Sequence, residues 1–345
     1  MEKKDKHYEL KAILLLSLGF GMVGVDRYII YPLFPLISKD LGLNYNHLGM
    51  ISAVLALTWG IAAIFAGRWS DRYGEKAVLV PSVIIFSVLV MVSGFAASLA
   101  SLLIIRALMG VAEGAYVPAS VIAVTRAADP TRIGLAIGLQ QMASALMGPG
   151  LTPILATQLL QVVPSWHWVF AVVAIPGFIL AYLIAKVLKS APVASRATTA
   201  GAQSDADGKA SWSELWGYRN IRINAIAMVC WLSGVMSLAT LLPSYFTDHL
   251  HLSLTQMGSV LSAAGLGGVI GVLVLPTLSD RMSRKLLIVF SSFVQLVILW
   301  FFARTGAEPV ALFALVLVNS FFAAGVIAVT MGPMTSSSVP DRLAS

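Results

Sequence analysis

Apolar residues fall along this chain in long unbroken runs, not in the alternation of a half-buried strand or the narrow stripe of a soluble amphipathic helix. The runs cover residues 12–37, 47–66, 77–97, 99–124, 132–160, 167–188, 221–247, 254–275, 285–303 and 309–331. Each is close to or above the ~20 residues a helix needs to cross the hydrocarbon core of a bilayer. A backbone in hydrocarbon must satisfy its own hydrogen bonds, so the pattern predicts an all-α membrane protein with ten spanning helices. The polar, lysine-rich stretch before the first run does not make a signal peptide, because the run that follows is too long for one. From Ser190 to Ser213 the apolar pattern vanishes into Ala, Ser, Thr and Gly, which predicts a flexible linker. The expected organisation is therefore a six-helix bundle over 1–189, a linker over 190–220 and a partial second bundle of four helices over 221–345.

Composition narrows the class. Of 345 residues 58% are hydrophobic and only 11% charged, against roughly 25% charged in a soluble domain. That excludes a water-soluble enzyme, and it excludes a disordered chain, which needs low hydrophobicity. The net charge of +7 suggests nucleic acid until the charges are located. With a cytoplasmic N-terminus, 19 of the 23 lysines and arginines fall in cytoplasmic segments, and only Lys39 and Arg304 lie opposite. The basic balance is thus a topology signal, and no nucleic-acid partner is expected. The single cysteine, Cys230, excludes an intrachain disulfide and a cysteine-built metal site. There is no intramembrane Ser/His pair, no His-Glu-x-x-His and no phosphate-cradling glycine loop, so neither catalysis nor a cofactor or metal is expected.

Two segments repeat. Gly67–Lys76 after the second run and Pro276–Lys285 after the eighth both contain Ser-Asp-Arg and end in Lys. Repeated halves about a central site are a transporter design. The run Gly67, Asp71, Arg72, Gly74, Lys76 resembles the signature loop of the major facilitator superfamily, and Asp280 and Arg281 sit in its degenerate second copy. Position 75 departs from that signature, with Glu where a basic residue is usual. The resemblance implies two pseudo-symmetric bundles of twelve helices in all, of which this chain supplies six and four. It also implies a cytoplasmic gating loop and a monomer in a cell membrane, most simply a bacterial inner membrane. The chain is expected to be a fragment, with 336–345 leading to an eleventh helix. Within the loop, Gly67 and Gly74 would allow close packing and a tight turn, and Asp71, Arg72 and Lys76 could engage helix ends.

Four ionisable residues lie inside spans: Asp26 and Arg27 in the first, Arg106 and Glu113 in the fourth. Each costs about 2.5–3.5 kcal/mol on the insertion scale, and the four together about 10 kcal/mol, unless they face one another or water. Their charges sum to zero. Arg106 and Glu113 are seven apart, so they share a helix face with backbones roughly 10 Å apart. Asp26 and Arg27 point about 100° apart. Asp26 with Arg106, or Arg27 with Glu113, are the cross-helix pairs this spacing allows.

This quartet, with Gly110, Gly114 and Pro118, resembles the organic anion/cation symporter branch of the superfamily, which includes carriers of sugar acids, sialic acid relatives and vesicular glutamate. Trp166-His167-Trp168 resembles that branch's Trp-Arg-Trp motif, with His for Arg. Leu242-Pro243-Ser244-Tyr245 resembles its Trp-Leu-Pro-x-Tyr, and Gly24 replaces a common tyrosine. The expectation is proton-coupled symport of a small organic anion. Arg27 and Arg106 would hold a carboxylate in guanidinium forks. Asp26 and Glu113 would carry the protons, since removal from water favours a carboxyl's neutral form. Gln140, Gln141, Ser144 and Tyr116 are further candidates for binding substrate, and Trp231 and Asn319 are weaker ones. The rival expectation is proton-coupled efflux of a drug or metabolite, because Gly148-Pro149-Gly150 partly resembles an antiporter motif.

Overall fold

A computed structural model describes residues 6–189, 219–279 and 281–330. The chain divides into two compact units, Met1–Arg196 and Ala197–Ser345. Residues 190–218 of the linker expected over 190–220, the tail over 331–345 and Asp280 lie outside the described residues.

The first unit holds α1 (Lys6–Tyr28), α2 (Ile30–Leu41), α3 (Tyr45–Tyr73), α4 (Glu75–Ser93), α5 (Leu99–Ala127), α6 (Ile133–Ala145), α7 (Thr152–Val162) and α8 (Trp166–Val187). The second holds α9 (Arg219–Ser244), α10 (Leu254–Ser279), α11 (Arg284–Phe302) and α12 (Pro309–Val329). Among the described residues nine helical runs are long and apolar enough to cross a membrane. A further helical run, from Ile133 to Val162, is α6 and α7 joined by a π-helical turn at Leu146–Leu151. Large apolar side chains point outward all along these helices, with Leu57 66%, Ile64 74% and Ile104 62% exposed. Such a surface suits lipid rather than water, and the protein is a multi-pass membrane protein.

The breaks follow from proline. Pro32 has no N–H to give the carbonyl of Tyr28, and the helix opens there, between α1 and α2. Pro149 lies in the π-turn, where the Thr152 hydroxyl donates to the carbonyl of Met147 at 2.7 Å. A side chain thus satisfies a carbonyl beside the irregular turn, as hydrocarbon demands. A second π-turn, Tyr245–His249, follows Pro243, and the Thr247 hydroxyl donates to the Pro243 carbonyl.

The segment expected as a gating loop is mostly helix. α3 runs on through Gly67 to Tyr73, and α4 begins at Glu75, so Gly74 alone makes the turn, at φ 86° where a glycine is favoured. A Cβ on Gly67 would meet nothing within 4 Å. Arg72 is exposed, its guanidinium 5.4 Å from the Tyr73 ring. The departure at position 75 has a physical reason, since Glu75 is buried and ion-paired with Arg126 at 2.6 Å, tying the start of α4 to the end of α5. In the second copy Arg281 is exposed and its N–H donates to the Leu278 carbonyl.

Two apolar clusters fill the first unit. One gathers Leu16, Phe86, Tyr116, Val124 and Ile184; the other gathers Ile29, Phe34, Leu48, Met109 and Phe170. Along α1 the change from one to the other falls between Val23 and Val25, and along α5 between Met109 and Ala112. The four charges lie within three residues of these changes, so the quartet sits close to where the two clusters meet. In the second unit α10 and α12 pack at glycines, where a Cβ on Gly267 or Gly271 would strike the carbonyl of Leu317 or Phe321. Small residues at helix contacts are the usual means of close approach in membranes.

Candidate functional site

α1 and α5 bring the charges together. The Arg27 Nη2 donates to Glu113 Oε2 at 3.1 Å, with Glu113 fully buried and the Arg27 side chain 27% exposed. Of the two cross-helix pairs the spacing allows, this one forms side chain to side chain. Asp26 and Arg106 also meet, but differently: Arg106 Nη1 donates at 3.2 Å to the backbone carbonyl of Asp26, not to its carboxylate.

That arrangement leaves buried polar atoms without protein partners. They are both carboxylate oxygens of Asp26, Oε1 of Glu113, Nε of Arg27, and Nε and Nη2 of Arg106. Asp26 is 1% and Arg106 2% exposed. Unsatisfied charged groups at such depth are costly, and they are found where function requires them. The free atoms of Arg106 are informative. With Nη1 tethered to α1, its Nε–Nη2 edge remains, and that edge presents two parallel N–H groups to a carboxylate.

α1 meets the π-turn between α6 and α7 through small residues. Gly24 faces Gly148 in the π-turn, and a Cβ on Gly24 would lie 3.1 Å from the Gly148 Cα. The Gly148-Pro149-Gly150 run thus has a packing role, and glycine rather than tyrosine at 24 is what this contact admits. On its other side α5 meets α3 at Gly110 and Gly114, where added Cβ atoms would strike the carbonyls of Leu55 and Trp59.

The remaining candidates divide. Gln140 is fully buried; its Nε2 donates to the Ser120 hydroxyl at 2.9 Å and its Oε1 has no partner. Ser120 is seven residues beyond Glu113, on the same face of α5. Gln141 is exposed and Ser144 half-buried beside Gly24. Tyr116 stands apart from the quartet: its hydroxyl donates to the Leu16 carbonyl at 3.1 Å and its ring meets Phe86 edge-on. In the second unit Trp231 Nε1 and Asn319 Oδ1 are buried without partners. Trp166 donates its indole N–H to Asp40 at 3.1 Å, and His167 stacks on Trp166, so this motif joins α2 to α8. Among the described residues no three His, Cys, Asp or Glu side chains gather as metal ligands would.

Trp59 also belongs to the site, though no pattern along the chain points to it. Its ring lies 5.3 Å from the Arg27 guanidinium carbon, a cation–π contact beside the ion pair. An aromatic in an apolar span carries no signal of its own; only the α3–α5 contact reveals it.

Residues 16–345 match the family model described as Major Facilitator Superfamily. The chain is 28% identical over 287 residues to the hexuronate transporter of Bacillus subtilis, covering 83% of this chain and 67% of that protein. It is 24% identical over 293 residues to a probable sulfoacetate transporter of Cupriavidus necator, covering 82% and 66%. It is 25% identical over 314 residues to a sialic acid transporter of Escherichia coli, covering 88% and 73%. The matches thus span about two thirds of these relatives' lengths. Among solved structures, a bacterial homolog of the human lysosomal transporter Spinster matches with TM-score 0.75 at 17% identity, covering 99% of this chain and 78% of that one. A D-xylose-proton symporter matches with TM-score 0.74 at 16% identity, covering 92% and 81%, so the likeness of both is one of fold. With the helical architecture and the match across nearly its whole length, the chain belongs to the Major Facilitator Superfamily of membrane transporters.

Proposed function

We propose that this protein is a secondary transporter, not an enzyme, that carries a small organic anion together with protons by alternating access. The single observation behind this reading is the buried quartet, in which Arg27 is held by Glu113 while the Nε–Nη2 edge of Arg106 and both oxygens of Asp26 are left without protein partners. An anionic guest finds one guanidinium edge already free and a second released when Glu113 is protonated. With all four groups ionised the quartet is neutral, so a guest's negative charge would enter uncompensated. A proton taken up by either carboxyl cancels it, which couples the two binding events.

The relatives' names support the anion class, since hexuronate, sulfoacetate and sialic acid all carry acidic groups. Gln140, with an unpartnered oxygen, is a candidate to bind substrate hydroxyls. The orientation that agrees with the lysine and arginine distribution puts the N-terminus in the cytoplasm of a bacterial cell.

The test is uptake into proteoliposomes of glucuronate, sulfoacetate and sialic acid, each at two external pH values. Symport predicts accumulation of one or more when the outside is acidic, with protons entering alongside the anion. Protons moving against the solute would establish efflux by antiport instead.

A further inference from the structure

We infer that Trp59 is a positioning residue of the coupling site: a partner of Arg27 that does not titrate, and that holds the guanidinium in place when Glu113 takes up a proton and lets go. The inference rests on the Arg27–Glu113 reading given above. Two independent features of the packing carry it. The first is where the indole stands. α3 is pressed against α5 at Gly110 and Gly114, and the backbone of Trp59 is itself the surface that a Cβ on Gly114 would strike. Gly114 follows Glu113, so the contact that sets the Trp59 backbone is one residue from the carboxylate. The second is what the ring touches. The Arg27 guanidinium carbon lies 5.3 Å from the ring centroid, and the indole Nε1 is buried with no hydrogen-bond partner. No hydrogen bond of its own orients the ring; the α3–α5 contact and the cation do.

Arg27 otherwise has few holds. Its Nη2 is given to Glu113 and its Nε is buried without a partner. The charged groups around it are Asp26 on its own helix and Arg106 and Glu113 on α5. The acidic and basic residues of α3, namely His47, Arg68, Asp71 and Arg72, lie more than two turns along the helix from Trp59, and α6, its π-turn and α7 carry none. Glu113 therefore supplies a hold that a proton abolishes. Trp59 supplies one that a proton does not abolish and that strengthens once no carboxylate offsets the guanidinium's charge, because the indole face attracts a cation through its quadrupole. The released guanidinium stays aimed at the place where a carboxylate is to bind, which lowers the ordering cost of capture.

The consequence is a specific pH effect. Removing the ring penalises the state in which Glu113 is protonated and Arg27 has lost its ion pair, so protonation of Glu113 should need more acid. The measurement is infrared titration of the purified full-length protein in lipid, with the protonated carboxyl band of Glu113 identified by its loss in Glu113→Gln. Trp59→Leu should move the appearance of that band to lower pH by up to about 1.5 units, and Trp59→Phe by less, because benzene retains part of the attraction. A purely structural tryptophan would alter thermal stability without moving the titration. Coincident titrations of wild type and Trp59→Leu, or equal shifts in the Leu and Phe variants, overturn the inference. If Trp59→Leu does not fold, Trp59→Phe decides alone, since a curve that coincides with wild type also overturns it. Should Glu113→Gln remove no titrating band in the wild-type background, the coupling reading itself falls, and the inference with it.

Discussion

Gly110→Ala probes the contact on which the site's geometry depends. A Cβ at position 110 would lie 2.5 Å from the Leu55 carbonyl oxygen and 3.0 Å from the Trp59 nitrogen, and would also run into the Thr58 hydroxyl. The hydroxyl can rotate away, but the two backbone atoms cannot. A carbon approaches a carbonyl oxygen no closer than about 3.3 Å, so α3 and α5 must part locally by about 0.8 Å. Forcing one extra carbon into a close-packed contact costs about 1–3 kcal/mol. The control is Gly138→Ala on α6, where an added Cβ meets nothing within 4 Å, and where alanine's helix propensity should stabilise by about 0.5–1 kcal/mol. Thermal unfolding in one lipid system should therefore rank Gly138→Ala at or above wild type and Gly110→Ala below it. The same 0.8 Å displaces Trp59 relative to Glu113 and to Arg27 on α1, so Gly110→Ala should also slow uptake in protein that remains folded. Equal stability of the two alanine variants would refute the α3–α5 approach and the placement of Trp59 built on it.

Arg106→Lys should reduce uptake at least tenfold although charge is kept, because an ammonium cannot replace the Nε–Nη2 edge; near-normal uptake kinetics would show that charge alone suffices. Tyr116→Phe should lower stability by about 0.5–1.5 kcal/mol through the lost bond to Leu16 and leave the half-saturating substrate concentration unchanged; a raised value would return Tyr116 to the binding site. Glu75→Gln should cost about 1–3 kcal/mol in thermal unfolding, below the range for a fully buried pair because Arg126 is 28% exposed, and Glu75→Lys should cost more.

Much of this was legible from residue types alone. Charges are so expensive in hydrocarbon that Asp26, Arg27, Arg106 and Glu113 stood out against apolar spans, and a seven-residue spacing placed two of them on one helix face. Which partner each would choose was not legible, because it depends on how α1 seats against its neighbours, with Gly24 meeting Gly148 of the π-turn, a contact between residues 124 positions apart. The extent of α3 was misread for a related reason. Polar residues from Arg68 to Tyr73 look like a loop when hydropathy is the only guide, yet a helix can run past the hydrocarbon, and only Gly74 with φ 86° stops it. Glu75 looked like a departure from a family pattern until Arg126 was found across from it. Trp59 carried no signal at all, since packing tryptophans and tryptophans under a cation are the same letter. Tyr116 shows the converse. Its place beside the Glu113 face suggested substrate, whereas its hydroxyl reaches the carbonyl of Leu16.

The most direct measurement compares two activities of Glu113→Gln in proteoliposomes with the organic acid that the wild-type protein accumulates. One is exchange of labelled for unlabelled substrate, which needs binding and alternating access but no net proton movement. The other is uphill accumulation driven by an imposed pH gradient. With Arg27 no longer held by a carboxylate, the variant should keep exchange and lose accumulation. Accumulation at the wild-type level by Glu113→Gln would contradict the account.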